Sequence, residues 1–261
     1  MPGLTELLVE LAKARPRFGY RRLGTLLKRE GFAVNHKRVY RLYSELQLAV
    51  RRKPRRRASQ APREAQPKAT RPNECWSMDF LSDSMTDGRT LRVFTVVDDC
   101  SKLSVALVCD VSLPAARIVR ELDKAIELYG KPAAFRSDNG PEFIAKVFDE
   151  WAYRNGIQHH FIRPGKPIES AFAESFNGRV RDEFLNQHCF SSVRHAIDLA
   201  ANWHEDFNTV RPHTSLGGLS PMQYLAARAE SEGSRCELAS NPEPQPQTTR
   251  AGARATPEPV K

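Results

Sequence analysis

Residues 90–108, TLRVFTVVDDCSKLSVALV, decide the fold class of this chain. Two runs rich in β-branched and apolar residues, 90–97 and 103–108, flank a short polar turn, which predicts a β-hairpin. Upstream, Trp76-Ser77-Met78-Asp79-Phe80 has the apolar texture of another strand. Downstream, the patterning predicts a helix over about 114–129, a short strand over 133–136, a helix near 141–154 and a strand over 157–161. Two long helices follow near 170–187 and 192–207. Antiparallel strands followed by alternating helices and strands are the pattern of an α/β layer arrangement.

Residues 4–48 read differently. Leu4, Leu7, Leu8 and Leu11 recur at helical spacing until Pro16 and Gly19 interrupt them. A second helix from about Tyr20 to Glu30 turns Leu23, Leu26 and Leu27 inward and stops at Gly31. Asn35 is a good N-cap for a third, with Val39, Leu42, Tyr43 and Leu46 on one face. His36, Lys37, Arg38 and Arg41 lie on its first turn and opposite face. A helix, a glycine-containing break and a basic helix have the form of a helix-turn-helix, in which such residues contact DNA. A plain three-helix bundle with a solvated basic face is the alternative.

The net charge of +9 is concentrated. Residues 51–73 hold nine Lys and Arg against one Glu, a surplus of eight, among Pro, Ala and Gln that build no core. This is a linker, and its charge density, including Arg55, Arg56 and Arg57, also suits a polyanion. The expected organisation is therefore a helix-turn-helix domain at 1–50, a basic linker at 51–73 and an α/β core with C-terminal helices at 74–228. Beyond Ala229 the chain turns to Ser, Pro, Gln, Thr and Glu, which predicts a disordered tail over 229–261.

Several function classes are disfavoured. The five cysteines are scattered without a CxxC pair, which argues against a zinc site and a disulfide framework and predicts small buried thiols. No apolar run is long enough to span a bilayer, and acidic residues interrupt any signal-peptide core, so a cytoplasmic protein is expected. No Walker-type loop occurs, and His159-His160, His204 and His213 are set aside as ordinary. Asp98-Asp99, before a turn, is read as structural.

Three carboxylates have a poor structural excuse. Asp79 sits in a strand-like apolar run, where a charge is costly unless it is paired or bound to a metal. Asp138, in Arg136-Ser137-Asp138-Asn139-Gly140, ends a short strand just before a turn, where α/β sheets present ligand-binding groups. Glu174 lies within a helix. At ~100° per residue, Phe172, Phe176 and Val180 form its core stripe, and Glu174, Asn177, Gly178 and Arg181 share the other side. The rival carboxylate Glu169 would project about 140° away from Glu174 and follows a Gly165-Lys166-Pro167 break.

Taken in order, Trp76-Ser77-Met78-Asp79, Ser137-Asp138-Asn139-Gly140-Pro141-Glu142-Phe143 and Ala173-Glu174-Ser175-Phe176-Asn177-Gly178 resemble the DDE signature of retroviral-type integrases. Thirty-five residues separate Asp138 from Glu174, the usual second gap, and Arg181 follows Glu174 by seven, where these proteins carry a basic residue. The stretch 207–218, FNTVRPHTSLGG, with Ser220-Pro221, is similar to bacterial insertion-sequence transposases, in particular the OrfB proteins of the IS-three family. The resemblance covers roughly residues 15–228.

It implies an RNase H-like core over about 74–187, a mixed five-stranded sheet with flanking helices behind the small all-α helix-turn-helix domain, with Asp79 beside the strand that ends at Asp138. It also implies a transposase joining DNA by phosphoryl transfer with two Mg2+ or Mn2+ ions, Asp79 bridging them and Asp138 and Glu174 each holding one. Water would first expose a 3′-hydroxyl at a transposon end, and that hydroxyl would attack a second phosphodiester. Asn139, Gly140, Lys166 and Arg181 are candidates for substrate phosphates. The implied partners are transposon-end and target DNA, further copies of the chain on DNA, and an upstream-frame transposase subunit to which such proteins are commonly fused. No such segment precedes Leu4, which leaves two expectations open, activity of the chain alone and activity only as that fusion. The chain departs from retroviral integrases in lacking any cysteine before Cys75, where they carry a zinc module. The rivals are a non-catalytic DNA-binding product and a stand-alone RNase H-like nuclease.

Overall fold

The computed structural model describes residues 3–50, 69–162 and 171–240, with backbone alone from 232. The basic stretch 51–68, including Arg55, Arg56 and Arg57, lies outside the described residues, as do Lys166, Glu169 and the end of the tail from 241.

Three helices open the chain: α1 (Leu4–Ala14), α2 (Tyr20–Arg29) and α3 (His36–Glu45). Gly3 N donates to Glu6 Oε2 at 2.9 Å, satisfying an end group of α1. Leu23, Leu26 and Leu27 of α2 are buried as their spacing predicts, against Leu8, Phe18, Val39 and Tyr43. Gly31 ends the turn after α2 with φ 87°, a backbone that residues with a Cβ avoid. Asn35 caps α3 by accepting from Lys37 N at 3.0 Å. His36, Lys37, Arg38 and Arg41 are all exposed on α3.

The sheet comprises β1 (Cys75–Ser84), β2 (Thr90–Asp98), β3 (Ser104–Asp110), β4 (Ala134–Ser137) and β5 (Gln158–Phe161), in the order β3-β2-β1-β4-β5. β1 to β3 form antiparallel pairs, whereas β4 runs parallel to both β1 and β5, so the sheet is mixed. Helices α4 (Ala115–Tyr129), α5 (Lys146–Arg154), α6 (Ala171–Glu183) and α7 (Val193–Thr209) cover it. Alternation along β1 divides the core. Trp76 and Met78 pack with Phe94, Phe135, Ile118, Phe148 and Trp151 on the face that carries α4 and α5. Leu81, Val93 and Val97 pack with Phe176, Val180 and Phe207 on the face that carries α6 and α7. Asp79, two residues from Leu81, belongs to this second face.

The three-helix region is joined to the sheet region by charge. Arg15 pairs with Asp206, Arg17 with Asp182 and Arg22 with Glu183, the last at 2.8 Å. Arg29 donates to the carbonyls of Val210 and Gly218 at 2.5 and 2.8 Å. Arg211 reaches the same Glu183 with two bonds, at 2.6 and 2.7 Å, with its guanidinium 6.0 Å from the Phe18 ring centroid. The described residues as far as Leu225 fall in one compact unit, and those from Ala226 in a second.

Three expectations need correction. The helix near 141–154 begins only at Lys146. Phe143 N and Ile144 N both bond back to Gly140 O in a turn, and Ala145 is extended. The tail expected from 229 is not free of regular structure, because α8 spans Pro221–Ser240. Scarcity of apolar residues rules out a core there, but Pro at the first helical position followed by Ala, Leu, Glu and Arg favours a helix. The cysteines were expected to be buried, but among the described side chains this holds for Cys75 and Cys109, whereas Cys100 is half-buried and Cys189 is exposed before α7.

Candidate active site

Asp79 is half-buried on β1, facing α6. One carboxylate oxygen accepts from Phe80 N at 2.7 Å, and the other accepts from Asn177 Nδ2 at 2.7 Å. The cross-strand partner of Asp79 is Thr95, on the same face of the sheet. Thr95 Oγ1 lies 2.8 Å from Asn177 Oδ1 and 3.0 Å from the Asp79 carbonyl. The carboxylate only accepts, so it takes the amide nitrogen of Asn177, and the amide oxygen is left to accept from the Thr95 hydroxyl.

Burial pushes the Asp79 carboxyl above its ordinary value, and the like charges of Asp138 and Glu174 push the same way. The Phe80 and Asn177 hydrogen bonds oppose them without cancelling them. Of the carboxylates chosen from sequence, Asp138 and Glu174 are thus both within electrostatic reach of Asp79. They do not converge on a common point: among the described residues no three His, Cys, Asp or Glu side chains are grouped closely enough to hold a metal ion.

Each of the other two has a local reason for its place. β4 runs parallel to β1 with Ser77 opposite Arg136, and Asp138 is the residue just after β4. Its Oδ1 accepts from Gly140 N at 3.1 Å, and a Cβ on Gly140 would stand 3.1 Å from that oxygen, so the tight turn favours glycine. Asp138 and Asn139 are exposed. Glu174 is exposed in the first turn of α6, and Arg181 is exposed two turns further on.

Asn177, which bonds the Asp79 carboxylate, is the residue that helical spacing misplaced. The buried face of α6 carries Ala173, Phe176, Asn177 and Val180, and Phe172 is only half-buried, with Lys102 Nζ 4.0 Å from its ring centroid. Asn177 is 5% exposed, on the side of the helix assigned to the core and not on that of Glu174. A polar side chain is tolerated there because Thr95 and Asp79 satisfy it. The visible signal was Asn177 lying one helical turn after Glu174.

Other polar groups sort cleanly. Asp98 accepts from the backbone of Asn73, Cys100 and Ser101, and Asp99 holds Arg136 at 2.8 Å and Ser77 at 2.6 Å, so both are structural as expected. His159 Nε2 lies 2.8 Å from Ser137 Oγ, and burial pushes its pKa down to about 4.

Known proteins place this geometry. An HTH-like domain matches residues 4–57, and two models of an integrase core domain match 69–167 and 155–221. The chain is 46% identical over 223 residues to the uncharacterized 31.7 kDa protein of insertion element IS407 of Burkholderia multivorans, covering 85% of this chain and 80% of that protein. It is 29% identical over 221 residues to the putative transposase InsK of insertion sequence IS150 of Escherichia coli K12, covering 80% and 78%. A chain of the simian T-cell lymphotropic virus intasome, solved in complex with the PP2A regulatory subunit B56 gamma, shares the fold. It has a TM-score of 0.53 and 17% identity, over 96% of this chain and 80% of that one. With its mixed RNase H-like sheet and flanking helices, this chain belongs to the IS-three family of insertion-sequence transposases, an integrase core behind an HTH-like domain.

Proposed function

We infer that the chain is a DDE transposase that cleaves and joins DNA by phosphoryl transfer at Asp79, Asp138 and Glu174. The observation that supports this most is the held carboxylate of Asp79, fixed through Asn177 and Thr95 while two further carboxylates act on its charge. Mutual repulsion among three anions is relieved by cations, and an all-oxygen donor set suits Mg2+ or Mn2+. Asp79, Asp138 and Glu174 would hold these ions. When bound, two such ions supply charge stabilisation at the attacking and leaving oxygens of an in-line displacement.

The protein's own groups prepare that reaction. Phe80 N–H and Asn177 each occupy one Asp79 oxygen, fixing its direction and leaving further lone pairs on both. Asp138, just after β4, and Glu174, on α6, are both exposed and would complete the donor set. In the first step water attacks phosphorus, the bond to the 3′ oxygen breaks, and a 3′-hydroxyl and a 5′-phosphate result. In the second that hydroxyl attacks another phosphodiester, forming one P–O bond and releasing one. Neither step needs ATP or a covalent protein intermediate. The exposed basic residues of α3, His36, Lys37, Arg38 and Arg41, would contact DNA, with Asn139, Gly140 and Arg181 near the carboxylates and Lys166 and the arginines of the 51–68 stretch adding charge. Pairing two DNA ends calls for at least two copies, and an upstream-frame subunit is a candidate partner.

The test is strand transfer of labelled element-end DNA with Mg2+ or Mn2+, by wild type and by Glu174→Gln. Products from wild type that vanish in Glu174→Gln while DNA binding persists support the enzyme. Binding without products, even for a fusion with the upstream subunit, would leave a DNA-binding protein in its place.

A further inference from the structure

Arg22, Arg179 and Arg211 gather around one carboxylate, Glu183, where α2, α6 and the segment after α7 meet. Arg211, 2% exposed, occupies both Glu183 oxygens, and Arg22 shares one of them at 2.8 Å. The neighbouring Asp182 is taken by Arg17. Among the described residues Arg179 has no hydrogen bond or ion pair of its own, and feels Glu183 and Asp182 only at longer range. Three guanidiniums against one carboxylate leave two positive charges in excess.

Burial already opposes this excess. It lowers Arg22 to about 10, with Arg211 adding repulsion, and it lowers Arg179 in the same way. His213, whose Nε2 is 3.3 Å from Arg211, is pushed down to about 3 by burial and by these cations, so it adds no charge at neutral pH. A half-buried cation without a counter-ion is costly, and an anion entering from outside would lower that cost.

The space for one is present. Arg179 stands where two cavities meet. One, of about 420 Å³, lies between Arg22, Lys102, Phe172 and the turn at Thr214 and Ser215. The other, of about 730 Å³, runs along α6 past Ser175 and Gly178 to Glu174, with Arg17 and Arg22 lining it from the three-helix region. A Cβ built on Gly178 would meet nothing within 4 Å, so this part of the groove is open. Arg179 follows Glu174 by five residues, about 7.5 Å along the axis at ~1.5 Å per residue.

We propose that Arg179 and Arg22 form a seat for a DNA backbone phosphate close to the one brought to Glu174, so that a single strand is gripped by α2 and α6 together. Guanidinium groups match phosphate oxygens in pairs, which makes arginine suited to this role. The seat presupposes the DNA substrate of the proposed function, though not its carboxylate chemistry.

The experiment is equilibrium binding of the full chain in EDTA to a labelled duplex carrying the terminal sequence of its element, with single neutral methylphosphonates scanned along each strand. For wild type, affinity is expected to fall about tenfold at one or two adjacent positions. Arg179→Ala should bind about tenfold more weakly, lose sensitivity at those positions, and lower the slope of log affinity against log salt by about one. Ser175→Glu, at an exposed site four residues before Arg179, should reproduce these losses by pairing with the guanidinium. A folded Arg179→Ala protein with wild-type affinity and slope, or one still sensitive at the same positions, overturns the seat. Should Arg179→Ala not fold, Ser175→Glu decides alone, and wild-type binding by it overturns the seat. With no divalent ion present, failure here leaves the carboxylate reading intact, and failed strand transfer leaves the seat intact.

Discussion

The molecule carries two charged clusters on opposite ends of α6, built on opposite plans. Around Glu183 the charges are mostly buried, and Arg211 and Arg22 are bonded to the carboxylate directly. Around Asp79 two further carboxylates, both exposed, lie in reach of its charge, and Asp79 itself is held by Phe80 N–H and Asn177. The first cluster ties the three-helix region to the sheet region. The second stores repulsion that a cation would relieve. Ion pairs that satisfy one another stabilise a fold, whereas a held carboxylate raised by burial and by like charges is the kind of group on which the proposed function rests.

The sharpest way to break this contrast is to remove Arg211. Arg211→Ala strands the buried Glu183 with Arg22 alone and should cost about 3–5 kcal/mol in urea unfolding, the scale for breaking a buried pair. A loss under about 1 kcal/mol, the scale of exposed pairs, would show that this joint is no stronger than a surface contact.

Next comes Asn177→Ala, which should leave the fold standing. It frees one Asp79 oxygen, so it should weaken metal dependence or strand transfer about 10–100-fold, as the loss of groups that orient metal ligands does. Metal titration of activity reads this directly. An unchanged half-saturating metal concentration and rate would reduce Asn177 to a packing residue.

Acid offers a smaller, graded test. Burial alone would raise the Glu183 carboxyl, but the bonds and charge of Arg211, with Arg22 and Arg179, hold it below its ordinary 4.5. Its contribution is therefore complete above the unfolded value and is lost as pH falls through the lower folded value. The stability gap between wild type and Glu183→Gln should narrow steadily below about pH 4.5, and a gap that stays constant there would contradict the ionised joint.

The smallest effect belongs to the rim. The Arg15–Asp206 pair is partly exposed, so Arg15→Ala should change stability by no more than about 1 kcal/mol, and raised salt should shrink that further. A loss as large as that of Arg211→Ala would mean that the whole joint acts as one cooperative network.

The elements and the candidate carboxylates were legible because their signals are local. Runs of β-branched and apolar residues over 90–97 and 103–108 around a polar turn gave the β2–β3 hairpin, Asn35 gave the start of α3, and Asp79, Asp138 and Glu174 stood out as carboxylates in contexts that do not explain them. Asn177 was misplaced because the wheel for α6 was anchored on Phe172, whose ring meets Lys102 at the edge and not the core. Periodicity sees hydrophobicity, and a buried amide satisfied by Thr95 and Asp79 carries no hydrophobic signal.

By itself, then, the sequence determined the order and type of most elements, the buried stripes of α2 and α3, and which carboxylates were candidates, since each depends on residues within a few positions of one another. Tertiary structure alone decided that Thr95 would orient Asn177 toward Asp79 across 82 and 98 residues of chain. It alone set Arg22 and Arg211 on Glu183 from 161 and 28 residues away, leaving Arg179 in surplus beside them. Contacts between residues so far apart in the chain exist only once the strands are in register and the helices are packed, and charge balance within a cluster is a property of that packing.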